Sequence, residues 1–397
     1  MKSLPTIRQT APLWKIWLSS SLLLTVAACS SDDDSDGVLL DSTTFSISAD
    51  GTQEIPPTGS DATAEGEFML QDETGLLTGS VMATGIDISA AHIHEGFAGS
   101  NGDVIITLDV DGDAISVPDS TLLTADQQTS MLAGNYYLNV HSDEFPAGEI
   151  RDQLAPSGIS VLQMALSGSN EVPPVESNGS GTAYITVDDD IGSIIINVIT
   201  SGLTTPEAAH IHSGFAGSNG DVLYALEQDA AEVGNFSSGE DTVLSTEELN
   251  SLQAGGTYIN VHSAEVPSGE LRAQVLPSGV SLLNAMLNGE QEVPPVATTA
   301  AGTGVVTLDE NQSTATAFVT VSDAPTANAG HIHEGAAGVN GDVIITLNQD
   351  AEDAGLFSIV GEPVTADQID TFLNGGMYFN VHTPTNPGGE VRGQIEP

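Results

Sequence analysis

The sequence predicts an all-β protein built as three tandem antiparallel β-sandwich domains, each carrying one short helix. Three observations predict it. The chain repeats at intervals of 121 and 120 residues, since "YLNVH", "YINVH" and "YFNVH" end at His141, His262 and His382. Short runs rich in β-branched and aromatic residues, bounded by Gly, Pro, Asn and Asp, fill each repeat, which is how strands read. One stretch per repeat carries helix-start and helix-stop signals instead. A repeat of this length suits a domain with its own core and exceeds the usual solenoid units.

The elements follow in chain order. "EIPP", "EVPP" and "EVPP" begin at Glu54, Glu171 and Glu292. Strands are expected at "GTAYITV", "SIIINVIT", "GDVIITL", "YYLNVH" and "GEIRDQL". Asn-Gly at 101–102, 219–220 and 340–341 predicts a tight hairpin turn between each "HIH" run and the run after it. "TADQQTSMLAGN", "STEELNSLQAGG" and "TADQIDTFLNGG" each place Thr or Ser three residues before Gln or Glu and close at Gly. That is a capping box followed by a C-terminal stop, and the helix is expected to bridge sheets. The joins "LAPSGIS" and "VLPSGVS" are short, so neighbouring domains are expected to touch. The expected boundaries are 1–28 for a leader, 29–43 for an acidic tether, and 44–156, 157–278 and 279–397 for the domains.

Lys2, Arg8 and Lys15 precede "IWLSSSLLLTVAA", an apolar run too short to span a bilayer comfortably, so the segment reads as a signal peptide. It ends in "VAAC", which resembles the lipobox of bacterial lipoproteins, with Val26 where Leu is more usual. That resemblance implies cleavage before Cys29 and lipidation there, hence attachment to a membrane through a lipid anchor. Ser30 beside it resembles sorting to the outer membrane. "SSDDDSDG" reads as a disordered tether, and it resembles the export signal of surface lipoproteins. Cys29 is the only cysteine, which excludes an internal disulfide. From Cys29 onward the chain keeps all 55 Asp and Glu, no Lys, and only Arg151, Arg272 and Arg392. Such a surface excludes nucleic acid, whose phosphates need basic partners. It also repels anionic headgroups and attracts cations.

All nine histidines fall in three sets: His92, His94 and His141; His210, His212 and His262; His331, His333 and His382. Each is a His-x-His with a third His 47 to 50 residues on. Residues i and i+2 of a strand share a face about 6.6 Å apart, so two imidazoles aim at one point and a third on a neighbouring strand completes a site. Three neutral imidazoles suit copper or zinc. Glu95 and Glu334 correspond to Ser213, so that carboxylate is not a required ligand. Asp103, Asp221 and Asp342, or Glu149, Glu270 and Glu390, recur as a fourth ligand or as outer support. The alternative is architectural. Histidines would then hydrogen-bond loop carbonyls, Glu149 would pair with Arg151, and each Arg would satisfy carboxylates at a sheet edge. "DVDGDAIS" looks like a calcium loop, but Gly112 is misplaced and the other repeats lack it. There is no nucleophile elbow, phosphate loop or HExxH motif, so a non-enzymatic protein is expected.

"AHIHEGFAGSNGDVIITL" followed by "YYLNVHSDEFPAGEIRDQL" resembles the CHRD (chordin) domain family, in three copies across the chain after the leader. The resemblance implies an extracellular or envelope β module. An extracellular protein or glycan partner, bound multivalently, is the alternative role. The cysteine-rich segments of the animal relatives are absent, so their growth-factor binding does not carry over. A second likeness, to copper/zinc superoxide dismutase, maps its His-x-His strand onto His92 and His94 and their counterparts. With three histidines per copy there is no bridging ligand and no second site, so dismutase activity is not expected. A single-metal relative of that sandwich, a superoxide dismutase-like metalloenzyme, stays as the distant alternative.

Overall fold

The computed structural model describes residues 41–239 and 242–397. The expected leader, the lipidation candidate Cys29 and the tether up to residue 40 lie outside the described residues. In the first repeat the strands are β1 (Ser42–Asp50), β2 (Thr63–Gln71), β3 (Leu77–Thr84), β4 (Ile88–Glu95), β5 (Val104–Thr107), β6 (Asp109–Asp111), β7 (Ala114–Ser116), β8 (Tyr136–Ser142) and β9 (Ile150–Gln153). They pair in the order β5-β4-β8-β9-β1-β2-β3-β7-β6. Both ends of that order come from one run interrupted at Leu108, so the sheet curls into a ring that the chain itself closes.

Alternation decides what faces inward. In β1 and β2, Phe45, Ile47, Phe68 and Leu70 are buried while the residues between them are exposed, the period-two pattern of a sheet with one wet face. Phe45 and Phe68 meet Ile93 of β4 and Leu138 of β8 in one core. The sandwich is therefore present as two facing halves, β1-β2-β3-β7 and β5-β4-β8-β9, joined at their edges. In the third repeat the joining is complete and the eight strands form a closed barrel. The same seam recurs in each copy, where Asp50 pairs with Arg151, Ser167 with Arg272 and Asn288 with Arg392. Each repeat has a separate apolar core, as three domains require.

The helices are α1 (Ala125–Leu132), α2 (Thr246–Gln253) and α3 (Ala366–Leu373), with complete capping boxes at Thr124/Gln127, Ser245/Glu248 and Thr365/Gln368. Gly134, Gly255 and Gly375 follow with φ of 75°, 76° and 65°, the left-handed stop that glycine adopts most readily. In the first repeat α1 carries the chain from β7 in one half to β8 in the other. Among the described residues no helix is long and apolar enough to cross a membrane. The repeats touch, as their short joins predict: Asn197 Nδ2 of the second donates to the Ala98 carbonyl of the first at 2.8 Å.

The hairpin expected after each "HIH" run forms, but its turn is not at Asn-Gly. β4 and β5 pair across the loop 96–103, which reverses earlier, where Ser100 N–H donates to the Phe97 carbonyl. Asn101 and Gly102 lie on the returning leg. Asn101 Nδ2 is held there by the Ile55 carbonyl at 3.0 Å. A Cβ at Gly102 would overlap the Glu95 carbonyl, so this glycine serves close approach rather than a tight turn.

Candidate metal centre

Ala91 and Ile93 turn into the core, so His92 and His94 project from the outer face of β4. β8 lies alongside, with His92 opposite Asn139, His94 opposite Tyr137 and Ala90 opposite His141. The third histidine is thus diagonal to the first on the same face. The registers of the second and third repeats repeat this placement. In each trio three ring nitrogens, one per residue, lie within 4.8 Å of one another. Nitrogens tetrahedrally bound to one zinc ion sit about 3.3 Å apart, so small ring rotations suffice. Each group could hold a metal ion.

Backbone carbonyls fix the tautomers. His94, His212 and His333 donate through Nδ1 to the carbonyls of Gly102, Gly220 and Gly341 at 3.0, 3.1 and 3.0 Å. His141, His262 and His382 donate through Nδ1 to Pro146, Pro267 and Pro387 at 3.2, 3.0 and 3.2 Å. A carbonyl only accepts, so these rings carry their proton on Nδ1 and leave a lone pair on Nε2. In the first and third trios the remaining ring donates, His92 Nδ1 to His141 Nε2 at 3.0 Å and His331 Nδ1 to His382 Nε2 at 2.9 Å. The second trio lacks that bond, and His210 Nδ1 and His262 Nε2 are both buried without a partner. So are Nε2 of His94, His212 and His333. Buried polar atoms normally find partners, and these five nitrogens belong to the groups that converge.

Burial pulls His92, His141, His210, His212, His331, His333 and His382 below the ordinary histidine value. A neighbouring imidazole adds to this, except at His333, where Arg392 does. The rings are therefore neutral near pH 7, the form that binds metal.

Two further layers hold the rings. His94 stacks on Tyr137, with centroids 5.0 Å apart at 12°, and the Tyr137 hydroxyl accepts from Gly102 N–H at 3.1 Å. Arg151 Cζ lies 3.5 Å from the centroid of that same tyrosine ring. Tyr258 with Arg272 and Tyr378 with Arg392 repeat the arrangement. Arg151 donates to the Ser100 carbonyl at 2.8 Å, Asn101 Oδ1 at 3.2 Å, the Phe97 carbonyl at 3.3 Å and Gln153 Oε1 at 3.1 Å. The expected pairing of Glu149 with Arg151 is therefore corrected. Arg151 is buried beneath the 96–103 loop and satisfies its carbonyls, while Glu149 faces hydroxyls. Its carboxylate accepts from Ser60 at 2.6 Å and from Ser142. Glu270 accepts from Ser177 and Ser263, and Glu390 from Thr383 and Asn386. These glutamates pin the turn that presents the proline carbonyl to the third histidine, so they support the site from behind. Asp103, Asp221 and Asp342 are exposed and outside the converging set, though Asp221 and Asp342 slightly offset the lowering of the His212 and His333 pKa. Asp109 and Asp111 of the calcium-like stretch are exposed on β6, away from any converging group.

Sequence reasoning missed Tyr137, Asn139 and Glu54 with their counterparts. The "YLNVH" phrase held the signal, because alternation places Tyr137 and Asn139 on the face of His141. Glu54 is buried beside Asn139, and burial raises its pKa above the usual carboxylate value. The same burial carries Glu171 and Glu292 up to about 7.

A model of the family described as "CHRD domain" matches residues 45–154, 162–275 and 283–395. Among curated proteins, chordin of Xenopus laevis is 27% identical over 171 residues, covering 36% of this chain and 17% of that protein. The chain therefore spans well under two thirds of that relative. No solved structure matches significantly.

Proposed function

The chain belongs to the CHRD domain family, and from that premise we propose a non-enzymatic envelope lipoprotein whose three modules each bind one copper or zinc ion. The observation that carries the reading is the set of buried, unpartnered nitrogens on His94, His210, His212, His262 and His333. His94 and His141 would ligate through Nε2, held by the Gly102 and Pro146 carbonyls. His92 would ligate through Nδ1, which requires its proton to move to Nε2. A bound ion would tie β4 to β8 and the two loops over them. A lipid on Cys29 would place the modules at the outer membrane or cell surface.

The test is metal content by plasma mass spectrometry after incubation with copper or zinc and desalting. Three equivalents are expected, falling by one in each of His94→Ala, His212→Ala and His333→Ala. A folded protein that retains neither metal would sink the reading.

A second reading is favoured by the direct His92–His141 and His331–His382 hydrogen bonds, which let two trios partly satisfy themselves. The histidines would then be architectural, and the protein a multivalent binder of an extracellular protein or glycan. In that case His94→Ala lowers thermal stability equally with and without chelator.

A further inference from the structure

The junction between repeats occurs twice within the chain, and among the described residues the loop of the third repeat and the matching sheet face of the first have no counterpart. The loop 96–103 of the first repeat sits on the outer sheet face of the second, and the corresponding loop of the second sits on the third. A side-chain carbon on Gly99 would lie 2.7 Å from the Tyr184 ring and from Asn197 Cβ; on Gly217, it would lie 2.7 Å from Val305 Cγ1 and 2.9 Å from Phe318 Cβ. On Gly338 it would meet nothing within 4 Å. The pockets agree. Glu171, Pro174, Ala216, Gly217, Arg272 and Gln274 help line a cavity of about 1020 Å³ that Val305 and Phe318 of the third repeat also line. Their counterparts Glu292, Pro295, Ala337, Gly338, Arg392 and Gln394 line a pocket of about 360 Å³ whose lining, among the described residues, comes from the third repeat alone.

Among the described residues, the complementary face of the first repeat is bare. Tyr184, Val305 and Glu67 hold the same place in their strands, each the fifth residue. They pair across the sheet with Asn197, Phe318 and Ser80 respectively. Glu67 and Ser80 are exposed, and Met69 and Met82 on the same face are 38% and 57% exposed.

We propose that a second copy of the chain docks here head to tail, the Glu67–Ser80 face of its first repeat closing the open pocket of the third. Charge supports this occupant. Tyr184 of the second repeat is close enough to Arg151 of the first to act on its charge. The same placement between copies sets Glu67 beside Arg392, a carboxylate against a guanidinium. The contact is heterologous, so it propagates into open chains rather than closing as a dimer. It needs salt, because copies of net charge −49 repel one another until screening shortens their reach to about 8 Å at physiological ionic strength. It does not depend on metal.

The test uses the full chain carrying Cys29→Ser, Ser80→Cys and Ala337→Cys, the last two at the positions of Asn197 and Ala98 in the existing junction. Mild oxidation at physiological salt is expected to give a ladder of covalent multimers. Glu67→Arg in the same background is expected to lower their yield about tenfold, while the unoxidised parent sediments as oligomers at high concentration. Monomer alone in both measurements overturns the proposal, and so does undiminished cross-linking by the Glu67→Arg chain.

Discussion

Arg151, Arg272 and Arg392 are nearly inaccessible to solvent, and they spend their donors on carbonyl and amide oxygens while lying against tyrosine rings. A guanidinium suits this role because its planar fork both stacks and donates in several directions. The residue scale is also where histidine was legible and tyrosine was not. Nine histidines in three matched sets announce a site. Tyr137 reads as a core aromatic until β8 is seen to be buried on both faces. Glu171 and Glu292 yield a prediction of their own. Their folded pKa of about 7 lies above the ordinary glutamate value of 4.5. Their contribution to stability is full below the lower value and is lost as pH rises through the higher one. Glutamine mimics the neutral form, so the double variant Glu171→Gln, Glu292→Gln is expected to lose less thermal stability than the parent between pH 5 and 8. Equal losses in thermal melts across that range would refute it.

At the level of elements, the strands and capped helices follow from local pattern, because alternation and capping act within a few residues. The loops over the site do not. The Asn-Gly pair promised a two-residue turn, whereas the chain spends residues 96–103 building a lid. The lid forms because Arg151, some fifty residues later, collects its carbonyls. A contact of that range leaves no local signature. The lid presents the Gly102 carbonyl to His94, and a Cβ at Gly102 would overlap the Glu95 carbonyl. Under the proposed function, Gly102→Ala is therefore expected to displace the loop and abolish metal binding by the first module, giving two equivalents instead of three with the cores intact. Plasma mass spectrometry beside far-ultraviolet circular dichroism checks this, and full retention of metal would remove the lid from the site's machinery.

Taken whole, the chain reads from its sequence as three all-β modules because the repeat is explicit and each unit is long enough for a core. The joining of the sandwich edges was not legible. Edge pairing depends on seams such as Asn288 with Arg392, formed between the first and last strands of a repeat. One consequence concerns how fast an ion would arrive under the proposed metal binding. Among the described residues every arginine is sunk beneath a loop and there is no lysine, so the outside offers carboxylates with nothing cationic between them. A dissolved divalent ion meets an attractive field well before it reaches a trio, and such steering raises encounter rates by about ten- to a thousandfold at low ionic strength. Stopped-flow capture of copper is expected to slow steeply as sodium chloride is raised, while release, governed by the imidazoles themselves, stays nearly constant. A capture rate indifferent to salt would mean that the acidic coat plays no part in delivery.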